Sequence, residues 1–178
     1  MLNKKILNHA ILSCKNHRDL DRRTINELFP GFKLMENAGK QIFKIIKKKF
    51  KKQKKIKILC GPGNNGGDGF VVAKLLKEYG YLNVDLFCLV SKKELKGDAN
   101  LAAKSFNGRL ESFSNFKVTK DDLIIDGLFG SGLNRPPTGS FADAIDWMNL
   151  SRRNGAKVIA IDVPSGLNAS NGSTPGVA

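Results

Sequence analysis

Apolar positions recur along this chain in two rhythms. Short contiguous apolar runs alternate with longer stretches in which apolar residues return every three or four positions. Contiguous runs of this length read as strands buried on both faces, and the wider spacing reads as helices with one buried stripe. Ile56-Lys57-Ile58-Leu59-Cys60, Val84 to Val90, Leu123-Ile124-Ile125 and Val158-Ile159-Ala160-Ile161 are the strands on this reading. Between them the pattern predicts helices from about Asp68 to Tyr79, from about Gly97 to Phe106, and from an N-cap at Ser140 to about Asn149. Gly80 is placed to end the first of these in the left-handed conformation. Ahead of the first strand, His17 to Leu28 predicts a short helix. Leu34, Met35, Ala38, Ile42, Ile45 and Ile46 then form the stripe of a longer helix that dissolves into a lysine run. Strands alternating with helices predict an α/β fold, a mainly parallel sheet covered on both faces, in one domain over residues 1–178. The chain stops at Gly176-Val177-Ala178 as a further apolar segment begins, so a C-terminal portion of the domain is expected beyond it.

Composition narrows the setting. At 178 residues, 41% apolar and 26% charged, the chain is an ordinary globular sequence long enough for a proper core. No apolar run approaches the roughly 20 residues of a membrane helix. Met1-Leu2-Asn3-Lys4-Lys5 leads into only a short mixed stretch, Ile6 to Leu12, without a small-residue cleavage site, so no secretory signal is expected. Cys14, Cys60 and Cys88 are odd in number and share no metal or redox spacing. Two of them sit inside apolar runs and read as core packing in a reducing compartment, which points to the cytoplasm. The net charge of +14 is dominated by nine lysines between Lys44 and Lys57; the rest carries +5 (14 less 9). With one Phe and no recognition motif beside it, the run reads as a solvated helix end, not as a specific nucleic-acid site.

Candidate chemistry gathers where ligands of a parallel sheet bind, beyond the carboxyl ends of the strands. Gly61-Pro62-Gly63-Asn64-Asn65-Gly66-Gly67-Asp68-Gly69 follows the first strand, Asp126-Gly127-Leu128-Phe129-Gly130-Ser131-Gly132 another, and Asp162-Val163-Pro164-Ser165-Gly166-Leu167 the last. Gly61-x-Gly63-x-x-Gly66 matches the dinucleotide fingerprint, in which bare backbone amides and a helix end approach a phosphate. The usual ribose-holding acid is missing: the second strand's tip reads Leu89-Val90-Ser91-Lys92-Lys93, with Asp85 at its start. An NAD(P)-dependent oxidoreductase is therefore the alternative reading. Asp68 would cap the helix start or hold ribose hydroxyls. Asparagine oxygens with Asp126 and a serine hydroxyl make a hard, weakly charged donor set, suited to an undemanding cation and not to zinc.

These loops closely resemble the NAD(P)H-hydrate epimerase family, the YjeF N-terminal domain. The resemblance lies in Leu34-Met35-Glu36-Asn37-Ala38-Gly39, in Lys96-Gly97-Asp98-Ala99, and in the three loop strings, in family order across most of residues 20–176. It implies a three-layer α/β/α Rossmann-like sandwich and an isomerase acting on NADHX and NADPHX, the hydrated reduced dinucleotides. By position, Asn64, Asn65, Gly66, Gly67 and Asp68 would bind the hydrate with Gly130, Ser131, Gly132, Leu133, Asn134, Arg135, Pro136 and Asp162. Asn65, Asp126 and Ser165 would coordinate potassium (K+). The resemblance further implies a homodimer, and an ADP- or ATP-dependent NAD(P)H-hydrate dehydratase as a fused or separate partner. Some relatives are non-catalytic scaffolds in RNA metabolism; this chain retains every ligand-bearing position.

A mechanism follows from the hydrate's chemistry. Its hydroxyl stands on a ring carbon bonded to nitrogen, and inversion requires that centre to open or flatten and then close from the other face. Either route moves the hydroxyl proton, so a positioned carboxylate is the expected agent. Asp162, at a strand tip among glycines, is the candidate acid/base, with capping of its turn through Ser165 as its competing role. His9 and His17 carry no assigned role.

Overall fold

A computed structural model describes residues 12–178. His9 and all of the Ile6–Leu12 stretch except Leu12 lie outside the described residues. The chain runs α1 (Cys14–Glu27), α2 (Gly31–Lys49), β1 (Ile56–Cys60), α3 (Asn64–Glu78), β2 (Val84–Cys88), α4 (Gly97–Ser105), β3 (Leu110–Glu111), β4 (Leu123–Gly127), α5 (Ser140–Arg153) and β5 (Lys157–Ala160). The sheet order is β3-β2-β1-β4-β5 and every pairing is parallel.

Each strand of the sheet's centre buries both faces. Ile56, Ile58 and Cys60 of β1 join Leu123 and Ile125 of β4 in a core closed by Met35 and Ile46 of α2, Phe70, Val72 and Leu76 of α3, and Ala102 of α4. Leu59 and Ile124 point the other way, against Ala144, Ile145 and Met148 of α5. Alternation along a strand thus divides one apolar run between two cores, giving the three-layer sandwich. Each fully buried Leu or Ile contributes about 1.5–3 kcal/mol by leaving water.

Several boundaries differ from the sequence reading, each for a local reason. α3 begins at Asn64, ahead of Asp68, because Gly63 takes the N-cap and the asparagines and glycines form the first turn. Gly80 follows α3 with φ of 87°, as its position predicted. Gly139, with φ of 57°, and not Ser140, is the N-cap of α5, and that helix continues past Asn149 to Arg153. β2 ends at Cys88, because the chain turns at Ser91 into a capping box with Glu94. On α2 the buried positions are Met35, Gly39 and Ile46, whereas Ala38 and Ile45 are exposed. α1 starts at Cys14, capped by the Ser13 hydroxyl. The two-residue β3 escapes notice because it is too short to show a pattern.

The lysine run lies at the amino ends of the strands, opposite the loops. Lys47, Lys48, Lys49, Lys51 and Lys52 line an open concavity of about 450 Å³ with Phe50, Tyr79 and Tyr81. Among the described residues no helix is long and apolar enough to cross a membrane.

Candidate active site

The sheet order places the switch point between β1 and β4, where the chain's connections run off in opposite directions and leave a crevice beyond the carboxyl ends. Backbone-to-backbone contact closes its floor. The Gly61 N–H donates to the Gly127 carbonyl at 3.0 Å. A Cβ on Gly61 would strike the Leu128 carbonyl, and one on Gly66 the Gly61 carbonyl. Gly67 lies over Met35, whose Sδ would be 2.6 Å from any Cβ there. Gly63 and Gly132 differ: neither has positive φ, and nothing stands within 4 Å of where a Cβ would be. Gly63 is the N-cap of α3, and the space beside both glycines leaves their backbone open to close approach. No side chain caps α3 at Gly63, so its first N–H groups are left for an anion at the helix's positive end.

β4 and the loop after β5 are joined by a buried network. Ser165 donates its hydroxyl to Asp126 Oδ1 at 2.6 Å and its N–H to Asp126 Oδ2 at 2.8 Å, and the Leu128 N–H donates to Oδ1 at 3.1 Å. The Ser165 hydroxyl oxygen in turn accepts the Phe129 N–H at 2.9 Å. Burial pushes the Asp126 carboxyl up from its ordinary value, and the three donated hydrogen bonds oppose that shift. Asn65, on the first turn of α3, is 9% exposed, and neither its Oδ1 nor its Nδ2 has a partner. An orphaned buried amide costs about 1–3 kcal/mol.

The whole stretch from residue 31 to 178 matches one family, the YjeF-related protein N-terminus. The chain belongs to it. The NAD(P)H-hydrate epimerase of Lentilactobacillus buchneri is 39% identical, covering 94% of this chain and 78% of its own. That of Rhodopirellula baltica is 32% identical, over 96% and 71%. The bifunctional NAD(P)H-hydrate repair enzyme Nnr of Escherichia coli is 37% identical over 82% of this chain, which spans 28% of that longer protein. The crystal structure of the yeast protein ynu0 shares the fold, with a TM-score of 0.77 at 23% identity, over 89% of this chain and 72% of that one.

Within this YjeF-type domain the residues singled out from sequence reach one edge by three routes. Asn64 to Asp68 form the start of α3, Gly130 to Pro136 the loop leaving β4, and Asp162 the tip after β5. Ser131 and Leu133 are half-buried, while Gly132, Asn134, Arg135 and Pro136 are exposed at the rim. Asp162 does not cap its own turn through Ser165, because Asp126 holds that serine. Its Oδ2 accepts the Ser131 N–H at 2.7 Å instead, tying the two loops together across Gly130. Asp68 is not a helix cap either. It stands in the second turn of α3, half-buried, and its carboxyl is raised from 3.8 to about 7 by burial first, then by the carboxylates of Asp162 and Asp21. Asp21, on α1, had no signal in the sequence, since its influence on Asp68 arises only in the folded chain. The Leu34 to Gly39 stretch proves to be a seat for α3: Met35 lies under Gly67, and a Cβ on Gly39 would meet Val71 Cγ1 at 2.5 Å.

Proposed function

We propose that this chain is an NAD(P)H-hydrate epimerase, interconverting the R and S forms of NADHX and NADPHX in nicotinamide nucleotide repair. The carrying observation is the crevice itself. It has backbone left bare at Gly63 and Gly132, an uncapped helix start for the pyrophosphate, and two carboxylates, Asp68 and Asp162, that form no salt bridge among the described residues. Relatives of similar length bear the epimerase name. The oxidoreductase alternative loses ground, because the acid nearest to a ribose-holding role, Asp85, stands at the start of β2, where Lys57 Nζ holds it at 3.0 Å.

Asn64 to Asp68 and Gly130 to Pro136 bind the dinucleotide and orient its ring. Asp162, exposed and held in place by the Ser131 N–H, takes and returns the hydroxyl proton. The residues present fit a monovalent cation: Asn65 has an unpaired buried oxygen, and Asp126 and Ser165 add hard oxygens. Among the described residues no group of three His, Cys, Asp or Glu could hold a metal ion. Potassium, when bound by Asn65, Asp126 and Ser165, would supply fixed positive charge to a crevice otherwise bordered by carboxylates. The enzyme works in the cytoplasm, where its three cysteines stay free, beside a dehydratase, fused or separate, that consumes one epimer. It forms a homodimer that covers the exposed Leu20, Ile25, Leu28 and Phe29 in and just after α1.

The test is equilibration of purified hydrate epimers, with the spontaneous rate subtracted. Asp162→Asn should bind NADP as the parent does yet epimerise at least about a hundredfold more slowly. Turnover within about threefold of the parent would make Asp162 a binding contact, and a parent with no activity would remove the epimerase reading.

A further inference from the structure

At the strand ends opposite the crevice, the lysine-lined concavity carries an unbalanced charge. The last turn of α2 and the turn after it supply Lys47, Lys48, Lys49, Lys51 and Lys52, which line about 450 Å³ together with Phe50, Tyr79 and Tyr81. No carboxylate is among the lining residues, and among the described residues none of the five lysines forms a salt bridge. Part of this charge has a local reason. α2 and α3 both end here, at the caps Phe50 and Tyr79, and the carbonyl end of a helix carries about half a negative charge. Two helix ends thus offset about one positive charge of the five, and about four are left over.

The wall of this hollow is braced. The Tyr81 hydroxyl donates to the Phe50 carbonyl at 2.8 Å, and the Asn83 side-chain amide donates to the Gln53 carbonyl at 3.2 Å. Both bonds pin the lysine-bearing turn to the segment that leads into β2. Within the turn, the Lys54 N–H donates to the Lys51 carbonyl at 3.0 Å. The Tyr79 ring stands edge-on to Phe43 and gathers one ammonium group from the helix and one from the turn. Lys47 Nζ lies 4.3 Å and Lys52 Nζ 4.4 Å from its centre. The ring thereby holds two like charges within the ~10 Å Debye length of 0.1 M salt, close enough for one anion to feel both.

We propose that this concavity is a binding site, separate from the crevice, for a small soluble anion with two or more linked phosphates. A single phosphate brings about two negative charges at neutral pH, so matching about four positive charges takes at least two phosphates. The lysines line a bounded hollow of a size usual for small ligands, which fits a compact anion better than a polymer. Bases of a single strand find little to stack on. Tyr81 is buried, and the Tyr79 ring already carries two ammonium groups. Lys54 and Lys157 stand 6.0 and 5.7 Å from the centre of the Phe50 ring. Lysine, a compact charge with three donors on a flexible stem, suits phosphate oxygens that arrive from several directions.

Calorimetry of the whole chain with sodium tripolyphosphate, in a phosphate-free buffer at fixed ionic strength, tests the site. One ion should bind per chain, and inorganic phosphate should bind at least about tenfold more weakly, because it leaves charge-assisted contacts unmade. Lys47→Gln combined with Lys52→Gln should weaken tripolyphosphate binding at least about tenfold. Lys104→Gln combined with Lys117→Gln removes as much charge from exposed positions elsewhere, and should leave binding within about twofold. Tyr79→Leu should weaken binding by freeing the two ammonium groups, and Tyr79→Phe should keep it. No binding, equal binding of inorganic phosphate, or equal loss in the two double variants overturns the site and leaves only a diffuse surface field. Tighter binding of a uridine decamer, or of phosphatidylcholine–phosphatidylserine vesicles, overturns the small anion in favour of nucleic acid or a membrane surface. Epimerisation should be unchanged in every one of these variants, because the crevice lies at the other end of the sheet. A failed anion site and a failed epimerase reading are therefore told apart.

Discussion

Replacing Asn65 with Leu should change the sign of its effect on stability with the salt. Asn65 is 9% exposed, and both polar atoms of its side chain lack partners. Without a cation, the buried amide is a net cost of about 1–3 kcal/mol, and an apolar side chain with the same branched heavy-atom skeleton removes that cost. In choline chloride, Asn65→Leu should therefore be more stable than the parent. If Asn65, Asp126 and Ser165 hold potassium, the parent gains RT ln(1 + [K+]/Kd), about 2.7 kcal/mol when potassium exceeds Kd a hundredfold. The variant forfeits most of this, so in potassium chloride the advantage should vanish or reverse. For a chain of this size 1 kcal/mol moves Tm by roughly 2–4 °C, which thermal denaturation resolves easily. Paired melts in choline, sodium and potassium chloride at equal ionic strength make the assay. A stability difference that is the same in all three salts would refute the cation site and leave Asn65 a strained buried amide.

Gly61→Ala should lose several kcal/mol or fail to fold, because the new Cβ meets the Leu128 main-chain carbonyl, which no side-chain rotation can relieve; urea denaturation checks it. Gly132→Ala, with open space around it, should keep its fold within about 0.5 kcal/mol and lose affinity for NADP, measured by calorimetry. Replacing Lys51, Lys52, Lys54 and Lys55 with Gln should leave epimerisation unchanged, since the run lies at the far end of the sheet, and any binding to RNA should be weak and steeply salt-dependent. Asp68 also sets a pH trend in stability. Its folded-state value of about 7 exceeds the ordinary 3.8, so the folded protein holds that proton more tightly than the unfolded chain. The associated stability is complete below about pH 4 and is lost as pH rises through 7. Tm should therefore fall between pH 5 and 8 in the parent and fall less in Asp68→Asn.

Much of this architecture was legible along the chain because the periodicities are local. Ile56 to Cys60 and Leu123 to Ile125 read as strands, since contiguous apolar side chains need two buried faces, and the second continues through Asp126 to Gly127 in the fold. The three glycine-bearing loops could be placed on one edge from sequence, because parallel strands must all point their carboxyl ends the same way. Which residues meet across that edge was not legible. Asp126, and not Asp162, holds Ser165, because strand register sets Asp126 level with Ala160 and so within reach of the loop that follows. The glycines look alike in the sequence, yet Gly61 and Gly66 are demanded by neighbouring carbonyls while Gly63 and Gly132 face open space. Nor could the sequence reveal that Asp68 holds a proton near neutrality. The two carboxylates that help to raise it stand at positions 21 and 162, far from it along the chain, and only the tertiary fold brings their charges to bear. Sequence determined which chemistry was present at each strand tip; tertiary structure decided which groups face each other, because charge and burial depend on distances that chain order does not encode.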